Sequence, residues 1–445
     1  MRLLTAVAVP LLVPLGLIPS TLPSYADADS CRGLPATLVS TSPTVTGTDG
    51  NDVIVAHGAS TVAGRGGDDT ICLLDSLPST AGGPGVRVET GAGADVVDAS
   101  ADTSAGVRVL QAETVVGGPG PDLVVLVDGL PPAVSTGGGD DEVEMGGYLS
   151  RGVVDLGAGD DEFVETSGDT SEVILPLRLA MRVPMLTVGG GEGDDTFSVD
   201  AGQGRWRLDL RSETWTGPTT EEIAFSGFDD YAVGTSGHPD TRVDVTGTSG
   251  PDDVLVDGTA LGEVHLGRGA DTVRVPGAGS VPRARSAIDG GKGDDTLVAM
   301  FWGPDQPSAA HIDLAAGTVS SGRSRPVHLR GIEDVVAAAT GTLTLAGDRH
   351  GNRLEWLGCR GGSVRGGAGD DEIVYVTEIG GPQSPAPVEL SCERAPRMHG
   401  YGGTGDDLLA GGPEADLLAG DRGRDRARGG AGDDRCPAVE RRSSC

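Results

Sequence analysis

The chain has 445 residues, of which 74 are glycine, 37% are hydrophobic and only 3% are aromatic, and its formal net charge is −33. So many glycines and so few rings exclude a large globular core, and the charge argues against binding nucleic acid or anionic membranes and favours cations. A length that ordinarily implies two or three domains fits one body if the chain grows along a single axis as a solenoid.

The N-terminus reads as a signal peptide over residues 1–28. Arg2 is a minimal positive region, Leu3 to Leu17 is apolar, and Ser24-Tyr25-Ala26 or Ala26-Asp27-Ala28 supplies a small-residue cleavage site. Pro10 and Pro14 make that run a poor membrane anchor, and Val173 to Val188 is interrupted by Arg178, Arg182 and Pro184. The expected product is soluble, exported and extracellular, with no membrane span. All six cysteines follow the cleavage site, so disulfides are the default. Six cysteines allow 15 pairings. Proximity favours Cys31 with Cys72, Cys359 with Cys392, and Cys436 with Cys445, the first and last closing the two ends. Zinc has no CxxC pair to use, and the seven histidines are scattered.

From residue 29 to 399 one frame recurs: glycines lead, an aspartate stands sixth and a buriable residue eighth. It begins as GTDGNDVIV (Asp52, Ile54), GRGGDDTIC (Asp69, Ile71), TGAGADVV (Asp95, Val97) and GGPGPDLVV (Asp122, Val124). It continues as TGGGDDEVE (Asp141, Val143), LGAGDDEFV (Asp161, Phe163), GGEGDDTFS (Asp195, Phe197) and GTSGPDDVL (Asp252, Val254). The later copies are LGRGADTVR (Asp271, Val273), GGKGDDTLV (Asp295, Leu297), GDRHGNRLE (Asn352, Leu354) and GGAGDDEIV (Asp371, Ile373). Each unit reads as a glycine turn followed by a short strand, and no unit can bury its apolar face alone.

Neighbouring copies often start about nineteen residues apart, close to two nonapeptides, which predicts one coil per pair with the GxGxD turn on one edge. A second period of about one hundred residues relates segment 190–275 to segment 290–376, through landmarks such as Phe228-Asp229-Asp230 and Ile332-Glu333-Asp334. The glycine-poor parts, 201–236 and 301–339, read as coils that lost their turns or as protruding loops.

Residues 400–445 hold a tandem array and a C-terminal cap: GGTGDDLLA, GGPEADLLA, GDRGRDRAR and GGAGDDRC, with Asp407, Asp416, Asp425 and Asp434 sixth. These lines are similar to the GGxGxDxUx nonapeptide of the RTX, or hemolysin-type, calcium-binding repeat family. The resemblance implies a parallel β-roll in which turns two repeats apart share a site, Asp407 with Asp425 and Asp416 with Asp434. Glu414 and Asp421 replace glycines, and Arg422, Arg424, Arg426 and Arg428 crowd the third line, so these two sites are expected to be weak.

The expected fold is therefore all-β, a parallel β-roll or β-solenoid of glycine/aspartate-rich nonapeptide turns with disulfide-closed ends. The sixth-position aspartates are the candidate ligands for several calcium ions, because carboxylate and carbonyl oxygens are the hard donors that calcium takes. Stacked at ~4.8 Å, two such carboxylates repel by roughly 1 to 3.5 kcal/mol at a dielectric of 80 to 20. A divalent ion between them reverses that sign.

No GxSxG elbow, HExxH helix or separate catalytic segment is present, so no enzyme is expected. The alternative is a solenoid-face enzyme acting on acidic polysaccharide, and Arg205, Trp206, Arg207, Arg211 and Trp215 are its only basic and aromatic cluster. The preferred reading is a monomeric, secreted structural or adhesive module whose partners are calcium ions and a cell-surface or matrix polymer.

Overall fold

The computed structural model describes residues 30–77, 85–103, 106–126, 132–146, 152–166, 186–218, 222–235, 240–276, 286–301, 309–322, 325–379, 388–389, 392 and 394–445. The signal segment expected at 1–28 lies outside the described residues. Strands are the only regular elements among those described. No helix among them is long and apolar enough to cross a membrane.

The chain winds as a parallel β-roll with two facing sheets. Sheet 1 runs from Thr44–Thr46, through strands such as Thr61–Gly66, Glu142–Gly146 and Thr272–Val275, to Arg441–Ser443. Every pairing in that line is parallel, each strand bonding the equivalent strand one coil further on. Sheet 2 runs from Leu38–Ser40 to Leu417–Arg422, parallel except within two three-stranded insertions.

The core is the thin aliphatic stack that the eighth-position residues predict. Ile54, Ile71, Val143, Phe163, Val254, Leu297, Ile373, Leu409 and Leu418 are all buried between the sheets. Each buried Val, Leu or Ile contributes about 1.5 to 3 kcal/mol, against the entropy of ordering a glycine-rich coil.

Over their described residues the two glycine-poor segments are neither lost coils nor protruding loops. In the first, Arg205–Asp209, Thr214–Thr216 and Glu222–Ser226 pair antiparallel as a meander inside sheet 2. Its outer strands pair parallel with Leu186–Glu192 on one side and Arg242–Thr246 on the other. The second repeats this with Ala309–Asp313, Thr318–Ser321 and Val327–Arg330. Sheet 1 has a single strand opposite each meander, Asp230–Thr235 or Asp334–Ala339.

Two extra strands lengthen one face by roughly 10 Å and open a wedge. In the first block the scarce aromatics fill it: Phe197 contacts Phe163, Phe225 and Phe228, and Trp215 is buried beneath Trp206. Hairpin turns explain the reversals of direction. Asp209 Oδ1 accepts the Ser212 N–H at 3.1 Å, and Asp313 Oδ1 accepts that of Ala316 at 2.7 Å, both short Asx-type turns.

The three disulfides join Cys31 to Cys72, Cys359 to Cys392 and Cys436 to Cys445. The last sits at the C-terminal end of the roll, with Cys436 in the core. The first packs a short hairpin, Ser30–Cys31 with Leu34–Pro35, onto Val55 on the outer surface of sheet 2. It thus covers the outer face near the first end.

Candidate metal sites

Each six-residue turn links a strand of one sheet to a strand of the other, and the turns fall into two conformations. In eleven of them positions 2 and 4 are left-handed, as at Gly157 (φ +107°) and Gly159 (φ +142°), or Gly291 (φ +112°) and Gly293 (φ +149°). Arg65 and Asp421 hold position 2 at positive φ without being glycine. The left-handed residues aim carbonyl oxygens at the next coil: a Cβ on Gly157 would overlap Gly137 O, and one on Gly193 would overlap Gly159 O.

In these open turns the sixth-position carboxylate is shared between coils. Its Oδ1 accepts the backbone N–H of the equivalent residue one coil earlier: Asp69 donates to Asp95 at 2.9 Å, Asp141 to Asp161 at 2.8 Å, and Asp371 to Asp407 at 2.9 Å. Its Oδ2 is buried and accepts no hydrogen bond. This holds for Asp69, Asp95, Asp141, Asp161, Asp195, Asp271, Asp295, Asp371, Asp407, Asp425 and Asp434.

The other five turns close on themselves. The position-2 N–H donates into the turn's own sixth residue, from Thr48 to Asp52 at 2.6 Å, Gly118 to Asp122 at 3.0 Å, Thr248 to Asp252 at 2.7 Å, and Gly412 to Asp416 at 2.6 Å. Asp348 does the same to Asn352 Oδ1 at 2.8 Å, and the Asn352 amide donates to Glu333 O. The cause is local. Threonine resists positive φ, and a glycine before Pro119 or Pro413 is pushed to an extended conformation.

The two types combine into rows along the edges. Asp52, Asp69 and Asp95 form one row. Asp122, Asp141, Asp161 and Asp195 form a second, and Asp252, Asp271 and Asp295 a third. Asn352, Asp371, Asp407 and Asp425 form a fourth, and Asp416 with Asp434 a fifth. Every row starts on a closed turn. The pairs Asp407/Asp425 and Asp416/Asp434 stack as the family resemblance implied.

One edge does not carry all the turns, contrary to the expectation from spacing. The first and fifth rows lie where sheet 1 leads into sheet 2, and the other three on the opposite edge. Three strands, Val96–Asp98, Val107–Leu110 and Thr114–Val116, separate Asp95 from Asp122, and an odd number of half-coils changes edge. In the tandem array a single strand separates successive turns, so they alternate.

Burial without a counter-charge pushes nine of the open carboxylates upward. Asp371 is raised to about 7, and Asp161, Asp271 and Asp407 to about 6, with loss of solvent the largest cause and neighbouring carboxylates adding to it. Asp69, Asp141, Asp195, Asp295 and Asp425 move the same way. Asp52 goes down instead, held by the Thr48 N–H. Asp122 rises to about 7 although two N–H groups reach it, because burial outweighs them.

The donors fit a hard divalent cation. Each gap beside an open turn offers an unpartnered carboxylate oxygen and backbone carbonyl oxygens. On the bare face of Gly366 lie Asp371 Oδ2 and, 2.6 Å from a Cβ position, Gly402 O. Among the described residues no three His, Cys, Asp or Glu side chains converge, so carbonyls would supply most of any coordination shell. A bound ion there supplies positive charge between stacked carboxylates.

Four acidic residues outside the expected set complete the rows. Glu113 Oε2 accepts the Asp95 N–H at 2.6 Å, Asp229 Oδ2 that of Asp195 at 3.4 Å, Glu333 Oε2 that of Asp295 at 2.9 Å, and Glu440 Oε2 that of Asp425 at 2.6 Å. Each directly precedes a strand, as a sixth-position aspartate does. Gln111, Gly227, Gly331 and Ala438, two residues earlier, are all left-handed.

Most of the basic and aromatic cluster makes contacts within the fold, while Arg207 is exposed. Trp215 is buried with Trp206 stacked on it at 4.9 Å, the Trp206 Nε1–H donates to Gly202 O, and Arg205 pairs with Asp244. Arg211 donates to Gly247 O.

No curated protein matches the chain. Residues 401–436 match the family model of the RTX calcium-binding nonapeptide repeat, in four copies. These copies span the tandem array whose turns stack as Asp407 on Asp425 and Asp416 on Asp434. Through that array the chain is similar to the proteins that carry RTX calcium-binding nonapeptide repeats.

Proposed function

We propose that this is a secreted, non-enzymatic repeat protein whose β-roll is stabilised by several calcium ions held between open turns, and that it serves as an extracellular structural or adhesive module. The observation that carries the reading is the set of eleven buried carboxylate oxygens without partners, one at each open turn. A buried charge left unpaired is costly, so each such oxygen needs either a proton or a cation. The same conformation appears in the matched array and in dispersed turns far outside it, which extends the calcium reading along the roll. Export supports itself on the N-terminal sequence and on three disulfides, which persist in oxidising compartments. The partner is read as a cell-surface or matrix polymer, and the working form as a monomer.

Far-ultraviolet circular dichroism and thermal melting in EDTA, then through a calcium titration with magnesium as control, test this directly. The expected result is a gain in β signal and a large rise in melting temperature with calcium alone. An unchanged spectrum and melting temperature would leave the aspartates as structural turn residues that bind no ion and overturn the reading.

A further inference from the structure

We propose that each of the first four rows of open turns ends in a further divalent-cation site of the calcium class, built half from the last nonapeptide turn and half from the short turn bearing Glu113, Asp229, Glu333 or Glu440. The proposal rests on the calcium reading of the open turns.

Inside a row, the unpartnered Oδ2 of an open turn faces the next coil. Asp69 Oδ2 and Thr90 O, one coil on, both crowd the bare face of Gly64. At a row's end the same face meets the short turn. On Gly290, Asp295 Oδ2 lies 2.6 Å from a Cβ position and Gly331 O crowds the same point. On Gly190 the pair is Asp195 Oδ2, at 2.7 Å, with Gly227 O, and on Gly420 it is Asp425 Oδ2 with Ala438 O.

Asp195, Asp295 and Asp425 are each 0% exposed, so these oxygens are as buried and unpaired as any inside a row. The short turn supplies what a full turn would: a carbonyl on the bare glycine face, a left-handed residue, and a carboxylate bound to the preceding aspartate's N–H. The start of a row differs, because there the closed turn has already capped its own carboxylate. Each of these four rows therefore holds as many ions as it has open turns, two for Asp271 and Asp295 where pairing of nonapeptide turns alone gives one.

Calcium stoichiometry of the full chain, by native mass spectrometry and titration calorimetry, tests this with Glu333→Gln and Asp229→Asn. Glutamine keeps an acceptor for the Asp295 N–H, so the turn retains its hydrogen bond while losing the charge. One ion fewer is expected in either variant and two fewer in the double variant, with Glu333→Asp restoring the ion and Asp155→Asn, on the outer face of sheet 2, leaving the count unchanged. An unaltered count and affinity in Glu333→Gln, in a chain that otherwise takes up calcium, would overturn the row-end sites alone. A wild-type chain that takes up no calcium would overturn the calcium reading of the open turns as well.

Discussion

The backbone N–H of Asp141 donates to Oδ1 of Asp161 on the next coil, 2.8 Å away, while Oδ2 of both carboxylates stays buried without a partner. One oxygen of each side chain thus belongs to the fold and the other is free for a ligand. This division of labour lets stability and binding be separated by mutation.

Asp161→Asn should show opposite effects in the two states. Asparagine keeps the Oδ1 acceptor and removes a charge that Asp141 and Asp195 repel. In EDTA at pH 8 the variant should melt at or above wild type. In calcium it should melt lower, since at ten times the dissociation constant each lost ion removes about 1.4 kcal/mol. Asp122→Asn is the contrast, because N–H groups of Val107 and Gly118 occupy both of its oxygens. Placing an amide there should cost roughly 1 to 3 kcal/mol in calcium and EDTA alike. Melting curves that fall equally in both media for Asp161→Asn would count against the division.

Much of this architecture is legible in the sequence, and the remainder is obscured for physical reasons. Asp sixth and apolar eighth predict turn, strand and core, because a strand's inward face follows directly from its start, and Ile71, Val143 and Leu297 are buried accordingly. The edge is not legible from spacing. Asp69 and Asp95 are 26 residues apart on one edge, whereas Asp95 and Asp122 are 27 apart on opposite edges. A long loop and an extra half-coil cost the same length. The meanders were hidden by their lack of glycine, although Leu208-Asp209-Leu210 and Ile312-Asp313-Leu314 each lead into a hairpin. Four of the five closed turns carry a signal, threonine at position 2 or proline at position 3, and the fifth has Asp348 and Arg349 there. The row-ending acids show only as a Glu or Asp two residues after a left-handed position.

The leading glycine should be far less replaceable than the third residue of the turn. A Cβ on Gly366 would overlap Asp371 Oδ2 and lie 2.6 Å from Gly402 O, so Gly366→Ala must displace the ligand oxygen or the backbone. Destabilisation of roughly 1 to 3 kcal/mol is expected, with weaker calcium binding. Gly138, at position 3 of its turn, has only Ala158 O at 3.5 Å from a Cβ position and no positive φ. Gly138→Ala should leave melting temperature and calcium titration unchanged. Equal behaviour of the two variants in chemical denaturation would refute the assignment.

Opening the C-terminal disulfide should loosen the last site before it unfolds the roll. Cys436 is in the core, and its bond to Cys445 holds the strand Arg441–Ser443, which follows Glu440, against Arg426–Arg428. A short covalent loop of this kind contributes on the order of 3 kcal/mol. Cys445→Ser should raise hydrogen exchange from Asp425 to the C-terminus, leaving the coils around Asp141 and Asp161 protected. Uniform loss of protection along the chain would show that the end is not an independent unit.

Acid should stabilise the calcium-free roll, the reverse of the usual carboxylate effect. Burial raises Asp371 to about 7 and Asp161, Asp271 and Asp407 to about 6, whereas an unfolded aspartate titrates near 3.9. The folded state then binds protons more tightly than the unfolded one. That contribution is complete below about pH 4 and is lost as pH rises through 6 to 7. In EDTA the melting temperature should therefore fall from pH 5 to pH 8. In calcium the fall should shrink or reverse, because the ion stabilises the deprotonated form that the proton otherwise neutralises. Net charge alone also favours acid, so Asp271→Asn with Asp371→Asn separates the causes: the pair should flatten the EDTA profile by more than two exposed substitutions such as Asp155→Asn with Asp240→Asn. An EDTA melting temperature that rises between pH 5 and pH 8 would mean that these carboxylates reach solvent, and the case for a cation at the open turns would lose its physical basis.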